Sequence, residues 1–420
     1  MEPKTRHTEC AGHAAPEALP RPLQSATMRS ETSPSPRFRP WLFGLASLLV
    51  LVTGAMMLIG GLVTSHEVGM AVPDGFETFG HWSLVAPLNV WWHDFGTRWE
   101  HLHRLQGYVV AFATLGLLIG LLYAAWRDRR PGLVALGVLL SVGVIGQAIL
   151  GILRVNEISQ LLAGVHGVVG QLFFAGTVLG ALLVGPAWVK RLAARRAGEV
   201  PPRRWPVGAL VLLGALVVQL GLGSAVRHGG ASEAIPDWPL HFGQVLPPVD
   251  QEGLDAAVYE AWSAGDYGGT YEITRVTGTG AVETVSSRPE TTVGQVHLHL
   301  THRIGAYAIC VLALVLVAWT LRRDPAGSGS AGPAVLLLAV LGLQVALGVA
   351  TVLGHVHPTL ATLHQSTGAL LLGVAVWYAV RRSAVDKQAR PSAHQPREAD
   401  GSDGMNVRVG DGIGMPWGAM

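Results

Sequence analysis

Charge is scarce in this 420-residue chain. Asp, Glu, Lys and Arg make up only 14% of it, whereas hydrophobic residues make up 50%, so a soluble protein with a charged surface is excluded. Cysteine is scarcer still, with Cys10 in a polar tail and Cys310 inside an apolar run. The two are badly placed to pair, and no CxxC or HxxxH spacing occurs, which excludes a disulfide framework and argues against zinc.

Long apolar runs take the place of that charge. A bilayer core requires about 20 apolar residues of helix, so the sequence predicts an all-α membrane protein with eight transmembrane helices. They are expected at roughly 41–64, 103–125, 132–153, 160–184, 206–226, 297–320, 333–354 and 359–380. Residues 1–40 and 383–420 are polar and are predicted to be disordered cytoplasmic tails.

Lysine and arginine set the expected orientation. Residues 190–204 hold six of them and the N-terminal tail another six, whereas 65–100 contains only Arg98. Because positive residues stay on the cytoplasmic side, we predict a multi-pass protein of the inner (plasma) membrane with both termini cytoplasmic. An outer loop is expected at 227–296, and alternation within it predicts a short hairpin.

The chain repeats its motifs in the same order in two halves. The matched pairs are PDGFETFG (73–80) with PDWPLHFG (236–243), HRLQGY (103–108) with HRIGAY (302–307), QAILG (147–151) with QVALG (344–348), and VHGVVG (165–170) with LHQSTG (363–368). This order predicts two pseudo-symmetric four-helix bundles. They would span 41–189 and 206–382, joined by a basic cytoplasmic linker at 190–205.

Each half carries two histidines near the outer ends of parallel helices. His103 can meet His166, and His302 can meet His364, at similar depth in their own bundles. Buried imidazoles are costly in a bilayer and are usually functional, and facing pairs suit the two axial positions of a haem iron. Small residues that would leave room for a macrocycle follow one turn later, at Gly107, Gly170, Ala306 and Gly368.

Other interpretations of the histidines remain open. A helix histidine is often only a hydrogen-bonded structural residue, although four at matched positions favour haem ligation. Zinc would need a third or fourth ligand nearby. The remaining histidines at the membrane edge are expected to be interfacial, namely His101, His297, His299, His355 and His357.

The halves differ at one position that bears on function. Glu100 lies three residues before His103, whereas His299 takes that place before His302. An enzyme with one catalytic and one auxiliary haem would need such an asymmetry, with Glu100 accepting a proton or stabilising positive charge. The alternative is an ordinary i,i+4 ion pair between Glu100 and Arg104.

These residues resemble the haem A synthase family, whose members oxidise haem O. The resemblance covers about 41–382 and rests on the ExxHR motif, the paired histidines and the VRHGGASEAIPDWPLHFG segment at 226–243. The residues that carry it are Glu100, His103, Arg104, His166, His302, Arg303 and His364. The chain departs from the family in having His241 where a cysteine is common, and in lacking cysteine pairs in its outer loops.

The resemblance implies a function and a division of labour. Haem b would bind His302 and His364, and haem O would bind near His103 and His166. The C8 methyl of haem O would become the formyl group of haem A, with Glu100 catalytic. Arg104 and Arg303 would belong to the haem scaffold.

The resemblance also implies partners, and two alternative functions stay open. The partners are a haem O synthase (a farnesyltransferase), cytochrome oxidase assembly and the lipid bilayer, with no nucleic acid, and association of identical chains is left open. The alternatives from other classes are a non-catalytic dihaem b-type cytochrome passing electrons from quinol, and a haem carrier without turnover.

Overall fold

The computed structural model describes residues 35–72, 75–200, 206–265, 271–276, 282–287, 290–324 and 327–384. Within these residues, eight helices are long and apolar enough to cross a membrane. They are α1 (Pro40–Ser65), α3 (Phe95–Asp128), α4 (Pro131–Asn156), α5 (Gln160–Val184), α7 (Val207–His228), α9 (Val293–Arg323), α10 (Ala331–Leu353) and α11 (Pro358–Arg382). This confirms the predicted fold class. Both predicted tails fall largely outside the described residues, as does Cys10.

Two membrane helices begin earlier than their apolar runs. Helix α3 starts at Phe95 because the Asp94 side chain caps it, accepting a hydrogen bond from the Thr97 amide at 2.7 Å. That bond holds the pKa of Asp94 below its ordinary value. Helix α9 starts at Val293 behind a capping box formed by Thr292 and Gln295. The polar stretches before the predicted starts are therefore helical, which gives their side chains fixed directions.

The membrane helices pack as two rings. In the first half α1 contacts α3 and α5, and α4 contacts the same two helices. In the second half α7 contacts α9 and α11, and α10 contacts the same two. The halves meet through α1, α5, α7 and α11. This arrangement is compatible with the predicted pair of pseudo-symmetric bundles, each with its own apolar core.

Three short helices and two hairpins complete the described part of the chain. They are α2 (Leu88–Trp91), α6 (Pro186–Arg196), α8 (Gln251–Ser263), and strands β1 (Glu77–Thr78), β2 (His81–Trp82), β3 (Tyr271–Val276) and β4 (Val282–Ser287). Strands β3 and β4 pair antiparallel with Tyr271 opposite Ser287, which confirms the predicted hairpin. Helix α6 occupies much of the predicted linker, and its Arg196 donates to the Asp128 carbonyl at 2.8 Å.

The outer loops cover the outer ends of the rings. Ile235, Leu254, Val258 and Val296 are at most 2% exposed and form one apolar cluster under the second loop. Phe79 and Phe242, at the same motif position in each half, both have positive φ, 50° and 56°. A bulky residue seldom adopts this conformation. The two halves therefore share an unusual backbone geometry as well as a sequence motif.

Candidate cofactor-binding site

The four predicted histidines line one cavity of about 300 Å³. His103 on α3 and His166 on α5 lie on helices that face each other across the first ring, because both helices pack on α1 and α4. His302 on α9 and His364 on α11 do the same in the second ring. The structure therefore brings the predicted pairs together, and it also joins both pairs through a shared space. The volume is at the lower end of the roughly 300–1,000 Å³ typical of ligand pockets.

Each imidazole lies against a glycine of a neighbouring helix. A Cβ added to that glycine would lie 2.9 to 3.4 Å from the ring Cε1 atom. At Gly60, Gly223 and Gly348 the distance is 2.9 to 3.0 Å, so a larger residue would displace the ring, whereas at Gly151 it would make an ordinary contact. The four pairs are Gly60 with His103, Gly151 with His166, Gly223 with His302, and Gly348 with His364. The sequence analysis predicted small residues on the histidines' own helices and not these glycines, which lie on neighbouring helices. Gly151 and Gly348 nevertheless end the repeated QAILG and QVALG motifs.

The small residues predicted one turn after each histidine are only partly confirmed as cavity residues. Ala306 and Gly368 line the cavity. Gly107 instead faces Met56, and a Cβ there would be 3.6 Å from the methionine methyl group. Gly170 faces Met57, and a Cβ there would be 3.2 Å from the methyl group of that methionine. Room for a flat group thus comes mainly from the glycines on neighbouring helices.

The ring nitrogens have different partners in the two halves. His364 Nδ1 lies 3.2 Å from the Gln344 carbonyl oxygen, which it can donate to. His302 Nδ1 lies 3.1 Å from the side-chain amide of Gln219. His103 Nδ1 is buried and has no hydrogen-bond partner among the described residues. An unpaired buried nitrogen is costly, so the first site differs from the second in how it fixes its histidine.

Glu100 is 2% exposed and both of its carboxylate oxygens are engaged. Oε1 accepts a hydrogen bond from Arg104 at 2.8 Å, and Oε2 accepts one from the Val72 amide at 2.8 Å. The i,i+4 ion pair is therefore present. Glu100 is absent from the cavity lining, which includes His103 one turn further along α3. The contacts hold the carboxylate in a fixed position one turn before His103.

Arg104 fixes the first outer loop as well as pairing with Glu100. Its guanidinium donates to the carbonyl oxygens of Val72 at 2.9 Å and Glu77 at 2.8 Å. Val72 directly precedes the PDGFETFG motif, and Glu77 lies within it. One arginine on α3 thus holds both arms of this loop over the outer end of the ring.

Arg303 does the same in the second half. It is 7% exposed and donates to the carbonyl oxygens of Ile235 at 3.1 Å, Asp237 at 2.9 Å and Leu240 at 3.2 Å. Ile235 and Leu240 occupy the motif positions that Val72 and Glu77 occupy in the first half. In each half, the histidine of the HR pair lines the cavity and the arginine anchors an outer loop. The role of these arginines in binding a haem stays a prediction.

Shortening the reach of Arg303 should loosen this loop. In Arg303→Lys we expect amide exchange at Phe242 and Gly243, which donate to Asp237 at 2.8 Å, to accelerate roughly tenfold or more. A hydrogen bond to a charged group is worth about 1.5–3 kcal/mol, and lysine cannot bind several carbonyls in one plane. Hydrogen exchange read by mass spectrometry tests this, with exposed Arg322→Lys on the same helix as the control. Unchanged exchange would show that the loop does not depend on Arg303.

Two of the histidines expected at the membrane interface are buried instead. His101 is 1% exposed, stacks on Trp91 with ring centroids 4.3 Å apart and lies 2.9 Å from the Thr78 hydroxyl. His299 is 4% exposed and lines the cavity. The interfacial prediction was wrong for both, because the early starts of α3 and α9 turn these side chains inward.

Two arginines that sequence reasoning missed also line the cavity. They are Arg154 near the end of α4 and Arg227 near the end of α7. Arg227 donates to the Thr64 carbonyl at 3.1 Å, whereas the guanidinium of Arg154 has no hydrogen bond or ion pair among the described residues. Isolated arginines inside apolar helices were the available signal. Guanidinium groups at a cavity wall are suited to binding carboxylates in a bidentate manner.

The side chains that could ligate a metal also indicate which kind of metal centre the cavity suits. Within the described ranges no group of three or more His, Cys, Asp or Glu side chains is arranged to hold a metal ion. The cavity thus offers pairs of imidazoles, glycine-backed walls and arginines rather than a tetrahedral set of ligands. This combination fits the two faces and the carboxylates of a haem.

Comparison with known proteins agrees with this picture. The COX15-CtaA family model, described as cytochrome oxidase assembly protein, matches residues 21–178 and 166–376. A heme A synthase of Methylobacterium sp. (strain 4-46) is 31% identical over 387 residues, covering 86% of this chain and 96% of the relative. One from Rhodopseudomonas palustris (strain HaA2) is 26% identical, covering 88% and 97%, and one from Sphingopyxis alaskensis is 27% identical, covering 86% and 98%.

Proposed function

We propose, on the premise that this chain belongs to the COX15-CtaA family of cytochrome oxidase assembly proteins, that it is a membrane oxidoreductase of haem A biosynthesis. Its specific reaction would convert the C8 methyl of haem O to the formyl group of haem A. The observation that carries the proposal is the shared cavity, which is lined by the four glycine-backed histidines and by Arg154, Arg227 and Arg303.

The residues present fit haem groups in both halves. His302 and His364 would hold haem b in the second bundle (206–382), and His103 and His166 would receive haem O in the first (41–189). Each ring lies edge-on to a glycine of a neighbouring helix. His364 Nδ1 can donate to the Gln344 carbonyl oxygen, and its Nε2 lies 3.4 Å from the Gln344 side-chain amide nitrogen, a contact that an iron would replace. When bound, haem b supplies an iron that can accept and pass on electrons.

The protein's own groups would position and stabilise the substrate. Arg154 and Arg227 would bind its propionates, which fixes the ring in its plane. Conversion of a methyl to a formyl group removes four electrons and four protons and adds one oxygen atom, which water would supply. The electrons would pass by way of haem b to an external acceptor, and positive charge would develop beside the first-half site. Glu100 would stabilise that charge, because Arg104 and the Val72 amide hold its carboxylate in place. The outer loops exclude water from above and strengthen this interaction.

The cellular setting is proposed on the same basis. The protein would lie in the inner (plasma) membrane with both termini cytoplasmic, take haem O from a farnesyltransferase and supply haem A to cytochrome oxidase assembly. The cavity is lined largely by side chains of the apolar helices, which suits a substrate with a farnesyl tail. Association of identical chains is a further part of the proposal.

Pigment analysis tests the reaction. In cells that make haem O but have no haem A synthase of their own, expression of this chain should convert a large share of extracted haem O to haem A. Cells with the empty vector are the control and should hold haem O alone. A chain that purifies with bound haem b while haem O stays unconverted would instead be a non-catalytic dihaem cytochrome.

A further inference from the structure

The two cavity histidines of the HR motifs have unequal surroundings. Gly60 and Gly223 lie against His103 and His302 in the same way. One turn earlier on the same helices stand different residues, Met56 on α1 and Gln219 on α7. The side chain one turn before each of these glycines is therefore apolar in the first half and an amide in the second.

Gln219 is built into the second half. Its amide nitrogen lies 3.1 Å from His302 Nδ1 and donates to the His302 carbonyl oxygen at 2.8 Å. A Cβ at Gly305 would come within 2.3 Å of Gln219 Oε1, so only glycine at 305 leaves room for this amide. In this arrangement the amide nitrogen faces Nδ1. Once an iron is bound at Nε2, Nδ1 carries the proton, so the amide would turn its oxygen toward Nδ1 and give up its bond to the His302 carbonyl.

The first half has the opposite pair of residues. Gln106 occupies the position that Gly305 has after the HR motif, and Met56 replaces the partner amide. The Gln106 amide nitrogen donates to the Val52 carbonyl oxygen at 3.1 Å, away from the histidine. His103 Nδ1 is left buried without a partner among the described residues. A thioether is only a weak acceptor, so Met56 cannot replace Gln219.

We propose that this exchange sets how long each site keeps its haem. Gln219 orients His302 and raises its basicity, which makes it a lasting ligand. Met56 leaves His103 without an orienting partner, so the first-half site holds its haem loosely and releases it. The inference rests on the proposed function and explains how one scaffold keeps an auxiliary haem while letting a substrate and product exchange. Outer hydrogen bonds to a ligating histidine are worth about 10–100-fold in metal affinity.

Transfer of haem to excess apomyoglobin measures this directly. The full-length protein is loaded with ferric protohaem in detergent, and the loss should have a fast and a slow phase. His103→Ala should remove the fast phase and His302→Ala the slow one. The double variant Met56→Gln/Gln106→Gly should slow the fast phase about 10–100-fold, and Gln219→Met should accelerate the slow phase by a similar factor.

Matched variants separate orientation from packing. Met56→Leu keeps an apolar neighbour and should leave the fast phase unchanged. Gln219→Glu keeps an acceptor for Nδ1–H and should retain the slow phase, with a lower haem reduction potential than Gln219→Met because the ligand becomes more basic. A merely structural role for Gln219 would not move the potential.

The possible failures are distinguishable. If loss is insensitive to His103→Ala and His302→Ala, the haem sites themselves are wrong and both proposals fall. If those variants act but the exchanges at 56 and 219 leave the rates unchanged, only the present inference is overturned. Where Met56→Gln/Gln106→Gly does not fold, Gln219→Met decides alone, and an unaltered slow phase overturns it.

Discussion

Replacing His364 with alanine is expected to remove the low-spin haem b spectrum of the purified protein. His364 lines the cavity, and its Nδ1 is positioned to donate to the Gln344 carbonyl at 3.2 Å, which fixes the direction of the ring. Loss of an outer partner alone costs about 10–100-fold in metal affinity, so loss of the ligand should cost at least that. His302→Ala should act alike, since a low-spin iron needs both imidazoles.

Spectra of matched variants check that prediction. His297→Ala removes an exposed imidazole on the same helix as His302 that does not line the cavity, and it should keep the full haem absorbance. Adding imidazole to His364→Ala should restore part of the low-spin signal, because the small ligand can occupy the vacated space. An intact b-type spectrum in both alanine variants would show that the second-half site is wrongly assigned.

The membrane helices and the histidine pairs could be predicted from the sequence because both depend on regular spacing. Apolar runs fix the spans, and the repeat fixes which histidines share a bundle. The starts of α3 and α9 could not be found this way, since hydropathy reports burial in lipid and not helix formation. The cap at Asp94 and the box at Thr292 were the better signals, and overlooking them placed His299 at the interface.

Contacts between distant segments were beyond the sequence analysis for a different reason. The glycines that support the rings lie on other helices, so their spacing from the histidines carries no periodicity. Arg104 and Arg303 looked like haem residues because they follow the ligands, yet their guanidinium groups hold the outer loops. Only the three-dimensional arrangement shows that Arg154 and Arg227 reach the same cavity.

Glu100→Gln is expected to reduce haem A formation by about 100-fold or more while leaving haem O bound in the first half. The glutamine oxygen can still accept from the Val72 amide, so the loop stays in place, but the negative charge is gone. Removing one preorganised electrostatic group typically costs about 10²–10³ in rate. The measurement is turnover of haem O to haem A beside the spectrum of bound substrate. Glu77→Gln, at an exposed loop carboxylate, is the control and should behave as wild type.

The ion pair with Arg104 gives Glu100 a structural role in holding the first outer loop. Glu100→Gln separates that role from a role in catalysis. If the carboxylate only anchored the loop, Glu100→Gln would weaken substrate binding and speed exchange of the Val72 amide, and turnover of the substrate still bound would stay near normal. If its charge stabilises the reaction, binding and exchange stay near wild type and turnover falls. The second half has His299 at this position and still keeps its arginine on the loop. Loop anchoring therefore does not require a carboxylate, which favours a role for Glu100 in the reaction.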